Sequence, residues 1–321
     1  MTEIRSSNGD GCRTVQACLE NNDRAKGATM NDTTTNGPVV VGIDGSKSAL
    51  HAAIWASAEA AARHVPMRLV HVVSSDNARD REEPIAYAER ALHHVWKRLR
   101  QQTSSTVRIE SEVRQGDPAK ELAKAGQGAA FICLGADGTG RNGRRHLGTV
   151  ARNVARHAST PVAVIRRRSQ NRSPDGPMPR KWIMAILREH HGADAALSAA
   201  VDEARLRHVP ILVMTSWSTT SSTPAAGGDD VQSFVDRHLC TAEGSGDDIE
   251  ICALPVPADI VPLIADAAGT LEMVIVAAHD VATVQTLTST RGNEALCGSD
   301  CSVLVVGGRK TSEHQQSKAT V

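Results

Sequence analysis

Aromatic side chains are scarce: the 321 residues hold two phenylalanines, one tyrosine and four tryptophans. Cores built from such a chain must be aliphatic and alanine-rich, and base stacking on an aromatic platform is disfavoured as a mode of binding. An excess of one charge is also lacking, with 36 Lys+Arg against 36 Asp+Glu and a pI near 7.2. That balance directs the chain neither to nucleic acid nor to a membrane surface. No C-x-x-C spacing links the seven cysteines, at 12, 18, 133, 240, 252, 297 and 301. An odd set without such spacing reads as reduced, in a cytoplasmic protein. Cys133 reads as a small hydrophobe inside a strand, and Cys297 and Cys301 as packing residues. Long apolar runs are missing: nothing approaches the roughly 18 residues of a membrane helix. The N-terminus has no apolar stretch of the signal-peptide kind.

What is present begins at Pro38. Residues 1–36 are polar and without period, and read as a disordered extension; Met30 is a candidate translation start. Val39 to Ile43 form a buried strand, and Asp44-Gly45-Ser46 a turn in which Ser46 or Ser48 caps the next helix. That helix presents Leu50, Ala53, Ile54, Ala58 and Ala61 and ends near His64. Strand two is 67–73. After a charged connection, a helix runs from Ile85 to about Leu99. TVRIESEV, 106–113, alternates like an outer strand. Asp117 is the N-cap and Pro118 the first residue of a helix running to Gly126. An apolar run to Leu134 is the fourth strand. A loop rich in glycine and arginine leads to a helix starting at Gly148-Thr149, with Val150, Val154 and Ala158 on one face. Pro161 precedes the fifth strand, Val162 to Ile165. Five strands alternating with four helices make a doubly wound parallel α/β sheet.

The pattern then repeats. Arg63-His64-Val65-Pro66 recurs as Arg207-His208-Val209-Pro210, and Glu59-Ala60 as Glu203-Ala204. The same offset sets strand 39–43 on 183–187. Pro118-Ala119 is matched to Pro257-Ala258, and Val162–Ile165 to Val303–Val306. The expected organisation is an extension (1–36), a first domain (37–166), a basic linker (167–180), a second copy (181–308) and a loose tail (309–321).

The chemistry concentrates between strands four and five. Glycine lets backbone approach an anion, and helix-start N–H groups point at it. Gly135, Gly138 and Gly148-Thr149 spell G-x2-G-x9-G-T, with Val41-Gly42-Ile43-Asp44-Gly45-Ser46 ending strand one. Together these resemble the universal stress protein family, whose ATP-binding members carry G-x2-G-x9-G followed by Ser or Thr. The resemblance covers 38–166 by motif and 181–306 by pattern. It implies a tandem member built of two doubly wound parallel five-stranded sheets, adenine-nucleotide alpha hydrolase-like in fold. It implies ATP across the ends of strands one and four. Gly42 lies in the strand-one motif, Asp44 would reach the adenosine part, and the Val72 backbone would meet the adenine. Gly135, Gly138 and Gly140 would wrap the phosphates, and Thr149 and Val150 would lie at the helix start. Arg141 and Arg145 could pair with phosphates. Asp137 would repel a triphosphate unless Mg²⁺ lay between, so ATP is expected with Mg²⁺ near Asp137.

Other readings fare worse. Gly138 to Gly143 fits G-x-G-x-x-G, but it falls late in its domain and no acidic residue follows at the ribose distance. There is no G-K-[ST] of a Walker loop. In the second copy, Arg188-Glu189-His190 replaces Asp44-Gly45-Ser46. Gly135 is matched to Ala278 and Gly138 to about Val281, and Ser289-Thr290 ends a loop without glycine. That copy reads as degenerate, kept as a packing partner. The His93-His94 and His190-His191 pairs read as solvated surface. No nucleophile–base pair or Walker B acid is visible, so the chain reads as an ATP-binding stress-response or regulatory module rather than a dedicated enzyme; slow ATP hydrolysis stays open. The alternatives are a nucleotide-free scaffold and an adenylating ATP pyrophosphatase, which would need an S-G-G-x-D-S loop. Family members commonly dimerise through the last strand. A tandem chain could make that contact internally, 161–165 against 302–306, with further dimerisation open.

Overall fold

The computed structural model describes residues 37–74, 82–102, 107–138, 147–166, 180–188, 192–216, 249–297 and 299–307. The extension, the tail, residues 167–179 of the linker, Gly140, Arg141, Arg145 and His190-His191 lie outside them. So do residues 75–81 of the charged connection.

In the first half the strands are β1 (Val39–Gly42), β2 (Met67–Val73), β3 (Ile109–Gln115), β4 (Phe131–Gly135) and β5 (Val162–Ile165). The helices between them are α1 (Lys47–Ala62), α2 (Glu82–Gln102), α3 (Pro118–Ala125) and α4 (Thr149–His157). The second half has β6 (Trp182–Leu187), α5 (Ala193–Arg207), β7 (Ile211–Thr215), β8 (Ile251–Pro255), α6 (Val261–Ala267), β9 (Leu271–Ala277), α7 (Val281–Leu287), α8 (Thr290–Leu296) and β10 (Ser302–Val306).

The two five-stranded sheets are joined into one of ten strands, in the order β3-β2-β1-β4-β5-β10-β9-β6-β7-β8. Every neighbouring pair is parallel except β5 and β10, which run antiparallel with Ala163 opposite Leu304. The two apolar strands that would otherwise be open edges cover one another. Aliphatic cores lie on both faces: α1, α2 and α5 cover one, and α3, α4, α6, α7 and α8 the other. Alternation along each strand divides its residues between them, as with Val39 and Val41 against Val40.

Local signals placed the ends of the elements. Ser46 caps α1, its Oγ accepting from Ala49 N at 3.0 Å. Asp117 caps α3 with Pro118 first in the helix, its Oδ1 accepting from Lys120 N at 2.9 Å. Both helices of the repeated Arg-His-Val-Pro end on a histidine in the left-handed region, His64 at φ 54° and His208 at φ 53°. The following valine then donates back into the helix at 3.0 and 3.2 Å, closing the two C-termini alike.

The structure departs from expectation at several elements. Strand β3 runs Ile109–Gln115 rather than 106–113. On α1 the buried face is Ala49, Ala52, Ala53, Ala56 and Ala60, and Ala58 is exposed; with alanine at so many positions, spacing could not select the face. On α4, Ala151, Val154 and Ala155 are buried, while Val150 and Ala158 are half-buried. Helix α2 begins at Glu82, three residues before Ile85, and takes Pro84 into its first turn, where no N–H is needed. The counterpart of Pro118 is Ile260, not Pro257. Asp259 occupies the place of Asp117, its Oδ1 accepting from Val261 N at 3.1 Å.

Candidate functional site

The sheet order reverses at β1, which has β2 on one side and β4 on the other. Ligands of open α/β sheets lodge at such a switch point, beyond the C-terminal strand ends. The chain leaves β1 in a tight turn. Asp44 Oδ1 accepts from Ser46 N at 2.9 Å, and Gly45 takes φ +85°, which glycine tolerates without strain. Beyond β4 the backbone is tied to the start of α1: Asp137 N donates to Ser48 Oγ at 3.2 Å, and Ser46 Oγ donates to the Asp137 carbonyl at 3.5 Å.

Two glycines make this approach possible. A Cβ on Gly135 would lie 2.6 Å from both the carbonyl carbon and Oγ of Ser48, and 2.8 Å from Ala49 N. A Cβ on Gly138 would stand 3.5 Å from Asp44 Oδ2, so the carboxylate and the loop face each other across a glycine. The loop returns beside its own start. Gly148 N donates to the Ala136 carbonyl at 2.9 Å, and a Cβ on Gly148 would lie 3.6 Å from Gly138 N. Gly138 and Gly148, which flank residues 139–146, therefore stand side by side at one neck. Gly148 caps α4 with no side chain, so the first-turn N–H groups have no capping oxygen among the described residues. Thr149 is exposed there and Val150 half-buried.

Of the residues expected at the site, Asp44, Gly135, Asp137, Gly138, Gly148, Thr149 and Val150 thus gather around one neck. Gly42 stands just below, at the end of β1, and Val72 near the end of β2. Four residues at the neck were not expected from the sequence: Ser48, His71, Tyr87 and Arg166. The single tyrosine, Tyr87, donates its hydroxyl to the Asp44 carbonyl at 3.3 Å and meets the His71 ring edge-on at 5.8 Å. Burial lowers the His71 pKa; the Asp44 carboxylate and a hydrogen bond to the Ile43 carbonyl oppose that without cancelling it. Arg166 follows β5 and reaches into the second half, donating to Asn293 Oδ1 at 2.9 Å; burial lowers its pKa against the pull of Cys301 and Asp137. A histidine within the run LVHVV, 69–73, was the one available signal for any of these.

The same place in the second half is built differently. Ala136 N donates to the Ile165 carbonyl at 2.9 Å, and Ala278 N to the Val306 carbonyl at 2.8 Å. Gly135 therefore corresponds to Ala277, and Gly138 to Asp280, one residue earlier than the sequence match. The segment read as a loop is α7. Asp280 caps it, accepting from Thr283 N at 3.0 Å, and Ser289 caps α8, accepting from Gly292 N at 3.1 Å. Side chains of the protein occupy the N–H groups that α4 leaves open. Helix α7 also meets α4: Arg156 Nε donates to Thr288 Oγ1 at 2.8 Å and its Nη2 to the Gln285 carbonyl at 3.4 Å. Cys133 and Cys301 are fully buried, and burial raises both thiols, Cys301 to about 12. His93 and His94 are exposed on α2.

A doubly wound α/β sheet with a glycine-lined neck and an uncapped helix start at its switch point defines the class. Within that class, the chain belongs to the universal stress protein family. The model of that family matches residues 35–166. Along 285 residues the chain is 32% identical to universal stress protein Rv2028c of Mycobacterium tuberculosis, over 87% of this chain and 99% of the relative. It is 39% identical over 185 residues to universal stress protein Rv3134c of the same organism, covering 57% of this chain and 66% of that one. Among solved structures, a universal stress protein from Archaeoglobus fulgidus DSM 4304 shares the fold, with a TM-score of 0.60 at 16% identity over 85% of this chain and 97% of that one. No helix among the described residues is long and apolar enough to cross a membrane.

Proposed function

We propose that the first half binds ATP at the neck between β1 and β4, and that the protein is a nucleotide-dependent stress-response or regulatory module of the cytoplasm. The observation that carries this reading is the approach of Gly138 to the Asp44 carboxylate beside an uncapped helix start. Acceptor, glycine-lined backbone and helix N–H groups are what a nucleoside, a polyphosphate and its charge require. Gly135, Gly138, Gly140 and Gly148 would admit the phosphates to the backbone, with Thr149, Val150, Arg141 and Arg145 about them. Asp44 and the Val72 backbone would face the nucleoside. When bound, Mg²⁺ offsets phosphate charge, and Asp137 is the carboxylate nearest to that need. The second half, its helix starts self-capped, serves as packing partner, so one nucleotide per chain is expected.

Mass spectrometry of small molecules released from denatured protein should show adenine nucleotide. Calorimetry should give one site per chain, tighter with Mg²⁺ than with EDTA, and at least tenfold weaker in Asp44→Ala. Equal affinity with EDTA removes the metal from the reading. Absence of any nucleotide binding leaves the scaffold reading in its place.

A further inference from the structure

We infer that the C-terminal half of helix α2 is a docking surface for another protein. It takes an acidic segment whose carboxylates meet Arg90, Lys97, Arg98 and Arg100 while an apolar side chain covers Trp96. The inference does not depend on the nucleotide reading above.

From Arg90 to Gln102 the helix carries no aspartate or glutamate. Its inner face, Leu92, Val95 and Leu99, belongs to the core. The four fixed cations and Trp96 are exposed. Most other described cations are engaged, as Arg68 is by Glu110 and Arg291 by Asp259. Arg90, Lys97 and Arg98 make no hydrogen bond or ion pair among the described residues, and Arg100 meets the Trp96 ring at 5.5 Å. A solvated helix ordinarily offsets such charges with an acidic residue three or four positions away. The helix dipole accounts for cations in the last turn, but its reach ends there, and Arg90 stands about three turns earlier. Trp96 is 36% exposed, with the His93 ring stacked on it at 6.0 Å between centroids. A large ring held in place by its neighbours on the helix offers apolar area at little entropic cost.

Charge and composition choose the partner. Unpaired guanidinium and ammonium groups along about 15 Å of helix call for carboxylates at matching intervals. Trp and Arg are the residue types that concentrate at the centres of protein interfaces. A bilayer fits poorly: an interfacial helix must offer its apolar face, and that of α2 is packed on β2 and β3. Nucleic acid fits poorly too. Four fixed cations fall short of the about six to ten phosphate contacts of a strong binder. A chain with 36 charges of each sign also lacks the net field that steers one.

A fluorescein-labelled helical peptide of glutamate, alanine and leucine tests this in the whole chain by anisotropy. Its controls are the same peptide with lysine for glutamate, duplex DNA, and vesicles of phosphatidylserine with phosphatidylcholine. The wild type should bind the glutamate peptide, and Arg90→Glu, Lys97→Glu and Arg98→Glu together should weaken binding about tenfold or more. Trp96→Ser should weaken it about fivefold, where a diffuse ionic attraction would lose nothing. The indole ¹⁵N resonance of Trp96 should move as the peptide is added to wild-type protein, which decides the matter even if a variant does not fold. No binding of the glutamate peptide, binding indifferent to either change, or a Trp96 resonance that stays in place overturns the inference. Tighter binding of the lysine peptide, the DNA or the vesicles overturns the acidic protein as occupant.

Discussion

Replacing Arg207 by methionine should cost about 3–5 kcal/mol of stability at pH 8, because it leaves a buried carboxylate without its partner. Four charges meet where α1 packs on α5. Arg207 donates to Glu59 at 2.6 Å and to Glu203, and Arg63 donates to Glu203 at 2.8 Å and lies 3.3 Å from Glu59. Both glutamates are 0% exposed. Each half of the repeat supplies one Glu and one Arg, and each bond between halves is matched by its pseudo-symmetric twin. Two of the few aromatics are used here: Arg63 lies over Phe131 at 4.6 Å and Arg207 over Trp55 at 5.3 Å. Denaturant titration reads the loss, and one below about 1 kcal/mol would show that the pairs are replaceable packing.

The same cluster sets a pH dependence. Burial and the Glu59 carboxylate push Glu203 up to about 7, against Arg207 and Arg63, with Asp202 adding to the rise. Unfolded, the carboxyl titrates near 4.5. A folded pKa above the unfolded one gives a contribution that is full below pH 4.5 and lost as pH rises through 7. Its upper size is about 3 kcal/mol. Stability measured at pH 5 and pH 8 should show this slope in the wild type, and Glu203→Gln should remove it. The cost of Arg207→Met should also shrink at pH 5, where Glu203 holds its proton.

Gly135→Ala should be the most damaging small change at the neck, costing about 2–3 kcal/mol and at least tenfold in ATP affinity. The new methyl would meet the carbonyl carbon of Ser48 and Ala49 N within the first turn of α1, and backbone cannot turn aside as a side chain can. The second half has Ala277 in place of Gly135, and there the residue matching Ser48 is Gly192, which stands before its helix at φ +82° rather than inside it. Adding Ser48→Gly to Gly135→Ala removes the contact with Oγ but leaves both backbone contacts, so it should restore little of the thermal stability. It should not restore ATP affinity either, because Ser48 Oγ is what holds the Asp137 N–H at 3.2 Å. Full recovery of thermal stability in the double variant would refute the backbone clash.

Strands β2 and β5 were legible to the residue, since each is an apolar run closed by proline, glycine or charge. Caps such as Ser46 and Asp117 were legible for the same reason: their cause lies within three residues. The second copy was legible as a repeat but not in its details. A segment without glycine, VATVQTL, was read as a loop because its glycine-rich counterpart reads as one in the sequence, although Asp280 at its head is a helix cap. The slip of one residue at Ala277 and of three at Ile260 arose because similar residues are neighbours there, and only strand register tells them apart.

By itself the sequence determined the order of strands and helices, the tandem repeat and the glycine spacing at the end of β4. Each is written in residues close together in the chain, where periodicity, φ preference and capping act. The pairing of β5 with β10 was expected from the family resemblance. Tertiary structure alone decided the rest: packing brought Glu59 to Arg207 and Arg63 to Glu203, and set His71 and Tyr87 beside Asp44. Those contacts depend on packing and on strand pairing between residues far apart in the chain, which no local pattern records.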